Sequence, residues 1–179
     1  MISRRRHLAT FGAALLAPAS AMAQTTTPQL PPALDALENI ALTQADGAAT
    51  TLGAHLTPGP AVVQFWATWC GPCIAETRHL SRTRRTLGAD RLAIVGVNVQ
   101  RRDDRAEAEI ARFLERTRPN YPQVRGDMAA YRAFSNGETL LLPRLYVFAA
   151  DGRPVAAFGR YNGAATFRAI DRAIEGVVS

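Results

Sequence analysis

The sequence predicts an α/β domain with a central mixed β-sheet flanked by helices. Residues 61–66 and 91–99 form continuous apolar runs, which are typical of strands buried on both faces. A helical segment over residues 70–87 joins them, so the two strands are expected to be parallel neighbours. Two further strand-like segments, residues 144–148 and 155–158, flank a turn sequence and predict an antiparallel hairpin.

The N-terminal part of the domain is predicted to form another β-hairpin. Residues 40–43 and 49–52 have a strand-like composition. Asp46-Gly47 lies between them and favours the positive φ values of a tight turn. This hairpin precedes the first buried strand in the chain.

The middle of the chain is predicted to hold a helix, a short strand and a second, short helix. Asp104 and Glu107 have the spacing of a capping box, which opens the first of these helices, and Pro119 stops it. The short helix ends at Asn136-Gly137. A closing helix follows the last hairpin, and its apolar stripe consists of Phe167, Ile170, Ile174 and Val177.

Length and composition indicate a single globular domain. The chain has 179 residues, of which 47% are hydrophobic, so it can bury a conventional core without help from disulfides or metals. Its formal net charge is +6 and all its basic residues are Arg. They are interleaved with Asp and Glu rather than clustered, which argues against a nucleic-acid partner. We expect a monomer.

The first 23 residues have the layout of a secretory signal peptide. Arg4, Arg5 and Arg6 give a cationic start, a short apolar stretch follows, and the segment finishes at Ala21-Met22-Ala23. We expect cleavage after Ala23, a flexible spacer over residues 24–36, a folded domain over residues 37–179, and a periplasmic location. The start also resembles the twin-arginine export signal, so both export routes and an uncleaved anchor stay open.

The two cysteines of the chain carry the predicted chemistry. They lie in Trp69-Cys70-Gly71-Pro72-Cys73, directly after a buried strand and at the start of a helix. The helix N-terminus lowers the pKa of a thiol, so Cys70 is expected to be the nucleophile. Cys73 lies one turn further along the helix and is the resolving thiol. Gly71 leaves the sulfur accessible, and Pro72 tolerates the first turn because its missing N–H would have no helical partner.

The two cysteines have two alternative uses, a structural disulfide and a zinc site, and the sequence favours neither. A structural disulfide would normally close a longer loop, because a two-residue spacer constrains the unfolded chain little. A zinc site needs about four ligands, and besides the thiols only His55 and His79 follow the leader. We therefore predict neither a bound metal nor a cofactor.

The segment from Val62 to Cys73 reads Val-Val-Gln-Phe-Trp-Ala-Thr-Trp-Cys-Gly-Pro-Cys and resembles the thioredoxin superfamily. It is most similar to the bacterial extracytoplasmic reductases of the TlpA and ResA type. The resemblance covers about residues 40–178 and implies a thioredoxin-like fold with a βα-type insertion at about residues 103–136.

The resemblance also implies roles for individual residues. Pro143 matches the cis-proline that packs beside the dithiol, and the backbone of Leu142 would pair with the substrate; an ordinary trans proline at a strand edge is the alternative. Glu76 matches a functional glutamate that would accept the proton of Cys73; an exposed first-turn acid is the alternative. Trp69 matches an aromatic residue of the active site. Gln64 stands where many thioredoxins have Asp, and an amide cannot exchange a proton.

The predicted function is the reduction of protein disulfides. The Gly-Pro spacer resembles that of reducing thioredoxins, whose reduction potential is about −270 mV, rather than that of the oxidising periplasmic enzyme, at about −120 mV. Expected partners are disulfide-bonded proteins, such as apocytochrome c or copper-delivery proteins, and an inner-membrane thiol electron donor. The alternatives are a thiol oxidase or isomerase, and a copper-binding chaperone that uses both cysteines as soft ligands.

Overall fold

The computed structural model describes residues 28–101, 103 and 105–179. The predicted signal peptide and Asp104 of the predicted capping box lie outside the described residues. Seven strands form one sheet: β1 (Ala41–Thr43), β2 (Ala49–Thr51), β3 (Ala61–Trp66), β4 (Ala93–Asn98), β5 (Gln123–Arg125), β6 (Arg144–Phe148) and β7 (Pro154–Phe158). Four α-helices join them: α1 (Gly71–Leu87), α2 (Ala106–Thr117), α3 (Met128–Ser135) and α4 (Ala164–Val178).

The sheet is mixed, with the strand order β2-β1-β5-β4-β3-β6-β7. The central strands β3, β4 and β5 are parallel, and the outer pairings are antiparallel. This arrangement confirms the predicted α/β class and the thioredoxin-like fold. The parallel strands end at the same edge of the sheet, so the residues that follow them lie close to each other there.

The two central strands are buried over their whole length. All six residues of β3 and all six of β4 are buried, as the continuous apolar runs predict. On one side of the sheet, Phe65 packs edge-on against Tyr131 and Phe134. On the other side, α1 and α4 contribute Leu80, Ile170 and Ile174 to a second cluster. Two layers of helices therefore hold β3, and with it the start of α1, in place.

The predicted hairpins and helix ends agree with the structure. Gly47 and Gly152 have φ values of 88° and 79° in the two hairpin turns, a region that glycine enters without steric cost. Gly88 caps α1, and Asn136 ends α3 in a left-handed conformation. The chain between residues 103 and 136 holds α2, β5 and α3, and β5 lies inside the sheet between β1 and β4.

Asp103 and Glu107 make side-chain contacts at the start of α2. The carboxylate of Asp103 accepts hydrogen bonds from the backbone N–H groups of Arg105 and Ala106, each at 3.0 Å. Glu107 pairs with the guanidinium of Arg125 on β5. Asp103 thus satisfies two backbone N–H groups at the start of the helix, and Glu107 connects α2 to the sheet.

The second half of the predicted spacer packs on the domain. Residues 34–36 form a 3-10 turn, and the N–H of Leu34 donates to the carbonyl of Gly152 at 2.9 Å. Asn136 donates to the carbonyl of Leu30 at 3.0 Å. Contacts with the fold therefore begin well before the predicted boundary at Leu37, because backbone groups in this Pro-rich segment find partners in two turns of the domain.

Candidate active site

The disulfide lies at the N-terminus of α1, where the chain leaves β3. Cys70 is the N-cap residue of the helix and Cys73 lies in its first turn, with Pro72 between them. The two sulfurs are bonded, and the Cα atoms are 5.4 Å apart. Cys70 is 4% exposed and Cys73 is fully buried, which agrees with an outer and an inner thiol. A reaction partner can therefore reach this pair only from the side of Cys70.

Two tryptophans adjoin the disulfide and have different environments. Trp66, the last residue of β3, is buried and stacks on Phe113 of α2 with ring centroids 4.0 Å apart. These two rings form one apolar cluster with both cysteines. Trp69, next to Cys70 in sequence, is 64% exposed. One tryptophan supports the disulfide from inside, and the other presents an aromatic surface beside it.

Glu76 is buried on α1, one turn after Cys73, and belongs to a network of hydrogen bonds. Its side chain is 1% exposed, so the alternative of an exposed first-turn acid is wrong. Gln64 of β3 donates to its Oε1 at 3.0 Å. Burial raises the pKa of Glu76 to about 7, although the hydrogen bond from Gln64 opposes that rise by stabilising the carboxylate. The acid can therefore gain or lose a proton near neutral pH.

Tyr121 fixes the orientation of the amide that contacts Glu76. Its hydroxyl donates to Oε1 of Gln64 at 2.9 Å, and burial raises the pKa of Tyr121, so the hydroxyl keeps its proton. Because the amide oxygen is engaged by this donor, the amide nitrogen points to Glu76 and to Thr77, whose hydroxyl lies 3.2 Å away. Gln64 itself cannot exchange a proton, but its hydrogen bond stabilises the charged form of Glu76, which can.

The loop before β6 lies close to the disulfide cluster. The Leu142–Pro143 peptide bond is cis, as the family resemblance implies, and Pro143 is buried. Leu142 packs against the cluster of Trp66, Cys70 and Cys73. The backbone that was expected to face a substrate is therefore anchored next to the reactive pair.

The two histidines that follow the leader have partners away from the cysteines. Nε2 of His79 lies 2.7 Å from the carboxylate of Asp171 on α4, and its ring stacks on Phe167. His55 bonds to the hydroxyl of Thr50. Within the described part of the chain, no group of three or more His, Cys, Asp or Glu residues is placed to hold a metal ion.

A family model described as Redoxin matches residues 23–172 of the sequence. The chain belongs to the Redoxin family. Together with the disulfide at the start of α1, membership of this family makes the protein a thiol-disulfide oxidoreductase.

Solved structures similar to this Redoxin-family protein share its fold. One is a secreted Mycobacterium tuberculosis disulfide oxidoreductase homologous to E. coli DsbE, with 21% identity, a TM-score of 0.62 and coverage of 79% of this chain and 98% of that one. Another is a putative thiol:disulfide interchange protein DsbE from Chlorobium tepidum, with 17% identity, a TM-score of 0.65 and coverage of 86% and 99%. A putative protein disulfide isomerase from Bacteroides thetaiotaomicron has 18% identity, a TM-score of 0.63 and coverage of 86% and 90%.

The described residues of this Redoxin-family protein contain no helix long and apolar enough to cross a membrane. The structure brings together Cys70, Cys73 and Leu142, leaves Trp69 exposed beside Cys70 in the chain, and places Glu76 one helical turn from the inner cysteine. Sequence reasoning missed the contribution of Tyr121. One signal was available, because a polar residue at Gln64 inside a buried strand requires a hydrogen-bonding partner.

Proposed function

We propose that this protein is a periplasmic reductase of protein disulfides that works through Cys70 and Cys73. The observation that carries the proposal is the pairing of two features at the start of α1. The Cys70–Cys73 disulfide lies at the N-terminal end of a helix, whose dipole favours a thiolate, and a buried carboxyl with a pKa of about 7 follows one turn later. A nucleophile and a proton acceptor are both needed for two successive thiol exchanges.

The proposed reaction starts from the reduced protein. The thiolate of Cys70 attacks one sulfur of a substrate disulfide, and the other substrate sulfur leaves as a thiolate. Cys73 then loses its proton and attacks the sulfur of Cys70, which breaks the mixed disulfide and releases the second substrate thiolate. Two electrons pass from the protein dithiol to the substrate, and the protein ends as the Cys70–Cys73 disulfide.

Glu76 is proposed to accept the proton of Cys73. It lies three residues further along α1, hence on the same side of the helix, and its raised pKa matches a proton transfer near neutral pH. The backbone of Leu142, beside the cis peptide bond, is proposed to pair with the substrate chain. Trp69 offers the exposed apolar surface next to Cys70.

The proposed location is the periplasm, and the proposed partners depend on it. The signal layout of residues 1–23 supports export, and an oxidising compartment returns no electrons to the dithiol, so an inner-membrane thiol donor must restore it. Disulfides in apocytochrome c or in copper-delivery proteins are the proposed substrates.

The reduction potential tests the direction of electron flow. We expect a value near about −270 mV when the protein is equilibrated with glutathione buffers, whereas a value above about −180 mV would establish the oxidase or isomerase alternative. The substitution Cys73→Ser should trap a mixed disulfide with the substrate, and Cys70→Ser, its matched control, should trap none. Equal trapping by both variants, or by neither, would contradict the assigned order of attack.

A further inference from the structure

A groove of about 430 Å³ opens beside the disulfide, between Trp69 and α2. We call it the α2 groove. Its apolar lining consists of Trp69, Ile74 and Phe113, and its charged lining of Glu109, Arg112 and Arg116. Trp69 precedes Cys70 directly, so this wall of the groove adjoins the residue that a substrate disulfide must reach.

The apolar part of the groove is continuous with the active site. Phe113 stacks on Trp66, and both rings belong to the cluster that surrounds the two cysteines. Trp69 is 64% exposed. A large exposed aromatic next to a reactive residue is typical of protein interfaces, where Trp and Arg are enriched.

The charged part of the groove carries an excess of unpaired positive charge. Arg112 and Arg116 are exposed and lie four residues apart on α2, a spacing at which like charges repel each other. Neither takes part in an ion pair among the described residues. Arg116 gains from the negative end of the helix because it lies in the last turn, but Arg112 lies one turn earlier. The fold alone therefore does not explain why the two guanidiniums are placed together.

The acid of the groove does not neutralise them. One carboxylate oxygen of Glu109 accepts hydrogen bonds from the hydroxyl of Thr68 at 3.0 Å and from the amide of Gln100 at 2.8 Å. On the other helix, Arg78 donates to the carbonyl of Arg116 at 2.8 Å and connects α1 to α2. The walls of the groove are thus fixed before a ligand binds, with its cations exposed.

We infer that the α2 groove binds the polypeptide segment next to the substrate disulfide and prefers segments that carry Asp or Glu. The inference rests on the proposed function and names a substrate class for it. Arginine suits this task because its planar guanidinium binds a carboxylate through two parallel hydrogen bonds. An apolar side chain of the same segment would pack on Trp69 and Ile74.

Three disulfide-bonded peptides that differ only in two flanking residues test the preference. The residues are Glu in one peptide, Gln in the second and Lys in the third, and the rate of their reduction by the reduced full-length protein is measured at low salt. An exposed ion pair between peptide and protein changes a binding constant, and hence the rate of reduction, by about two- to fivefold. We therefore expect the Glu peptide to react at least about fivefold faster than the Lys peptide, and the difference to vanish in 1 M salt, where charges are screened beyond about 3 Å.

The variant Arg112→Glu/Arg116→Glu should abolish or reverse the preference. Arg168→Glu/Arg172→Glu is the matched control. These two residues are exposed and four positions apart on α4, as Arg112 and Arg116 are on α2, and the substitutions change the net charge by the same amount. The inference is overturned if the wild type does not discriminate between the peptides, or if the preference survives the α2 substitutions.

Two further measurements separate this inference from the proposed function. All variants should reduce the neutral hydroxyethyl disulfide at the wild-type rate, because that molecule is too small to need the groove. Failure of the wild type to reduce it would contradict the proposed function instead. Binding of cysteine-free versions of the peptides, measured by fluorescence anisotropy, tests the groove without electron transfer, and equal binding of the Glu and Lys peptides would overturn the inference.

Discussion

The substitution Glu76→Gln is expected to stabilise the folded protein at alkaline pH. Glu76 is buried, and its pKa rises from 4.5 to about 7 on folding. The folded state therefore holds a proton that the unfolded state releases between these two pH values, so wild-type stability falls as the pH rises through that window. At 1.36 kcal/mol per pKa unit, the cost at pH 8.5 is about 3 kcal/mol.

Gln has the shape of a protonated Glu and can still accept the hydrogen bond from Gln64, so the variant avoids this cost. The two proteins should have nearly equal stability at pH 4.5. At pH 8.5 the variant should be more stable by up to about 3 kcal/mol. The assay is urea unfolding of both oxidised proteins at a series of pH values from 4.5 to 9. A difference that stays constant with pH, or a wild type that gains stability relative to the variant as the pH rises, would refute the assignment of a raised pKa.

Further predictions concern the resolving step of the reaction and two ion pairs elsewhere in the fold. Glu76→Gln should slow the step in which Cys73 resolves the mixed disulfide by about 10²-fold or more, measured by acid quenching and mass spectrometry, while the attack by Cys70 keeps its rate. Gln64→Leu removes the donor to the carboxylate of Glu76, so the pH profile of that step should move to higher pH by about one unit; an unmoved profile would exclude the contact. Glu138→Gln should cost about 3 kcal/mol of stability in urea unfolding, because it leaves the 2%-exposed guanidinium of Arg144 without its ionic partner. Asp151→Asn, which breaks the exposed pair with Arg153, should cost less than about 1 kcal/mol, and equal losses would contradict this reasoning.

The bounds of the central strands could be predicted closely, because a strand buried on both faces appears in the sequence as a continuous apolar run. The predicted bounds of β3 and β6 match the structure, and β4 is only shorter at its ends. The dithiol was equally visible, since its position after a buried strand and at a helix start is a local property. The cis bond before Pro143 was expected only from the resemblance, because the Leu-Leu-Leu-Pro sequence carries no turn signature of its own.

Contacts between distant segments could not be predicted in the same way. Tyr121 reaches Gln64 across 57 positions of sequence, and nothing near either residue specifies the other. Glu107 likewise pairs with Arg125 on β5 across 18 positions of sequence. Such pairings depend on how the β5 segment docks on the sheet, which local pattern does not encode.

The first and last described segments of the chain lie against different parts of the fold. Pro28 lines a pocket with Leu141, one residue before the cis-peptide loop. The last turn of α4 is held near the opposite edge of the sheet, where Arg91, just before β4, donates to the carbonyl of Val178 at 2.5 Å. A purification tag, a fluorophore or an immobilising linker attached at the N-terminal side would crowd the face that must meet another protein. One attached after Ser179 would leave that face open, so tags and surface couplings are best placed at the C-terminus.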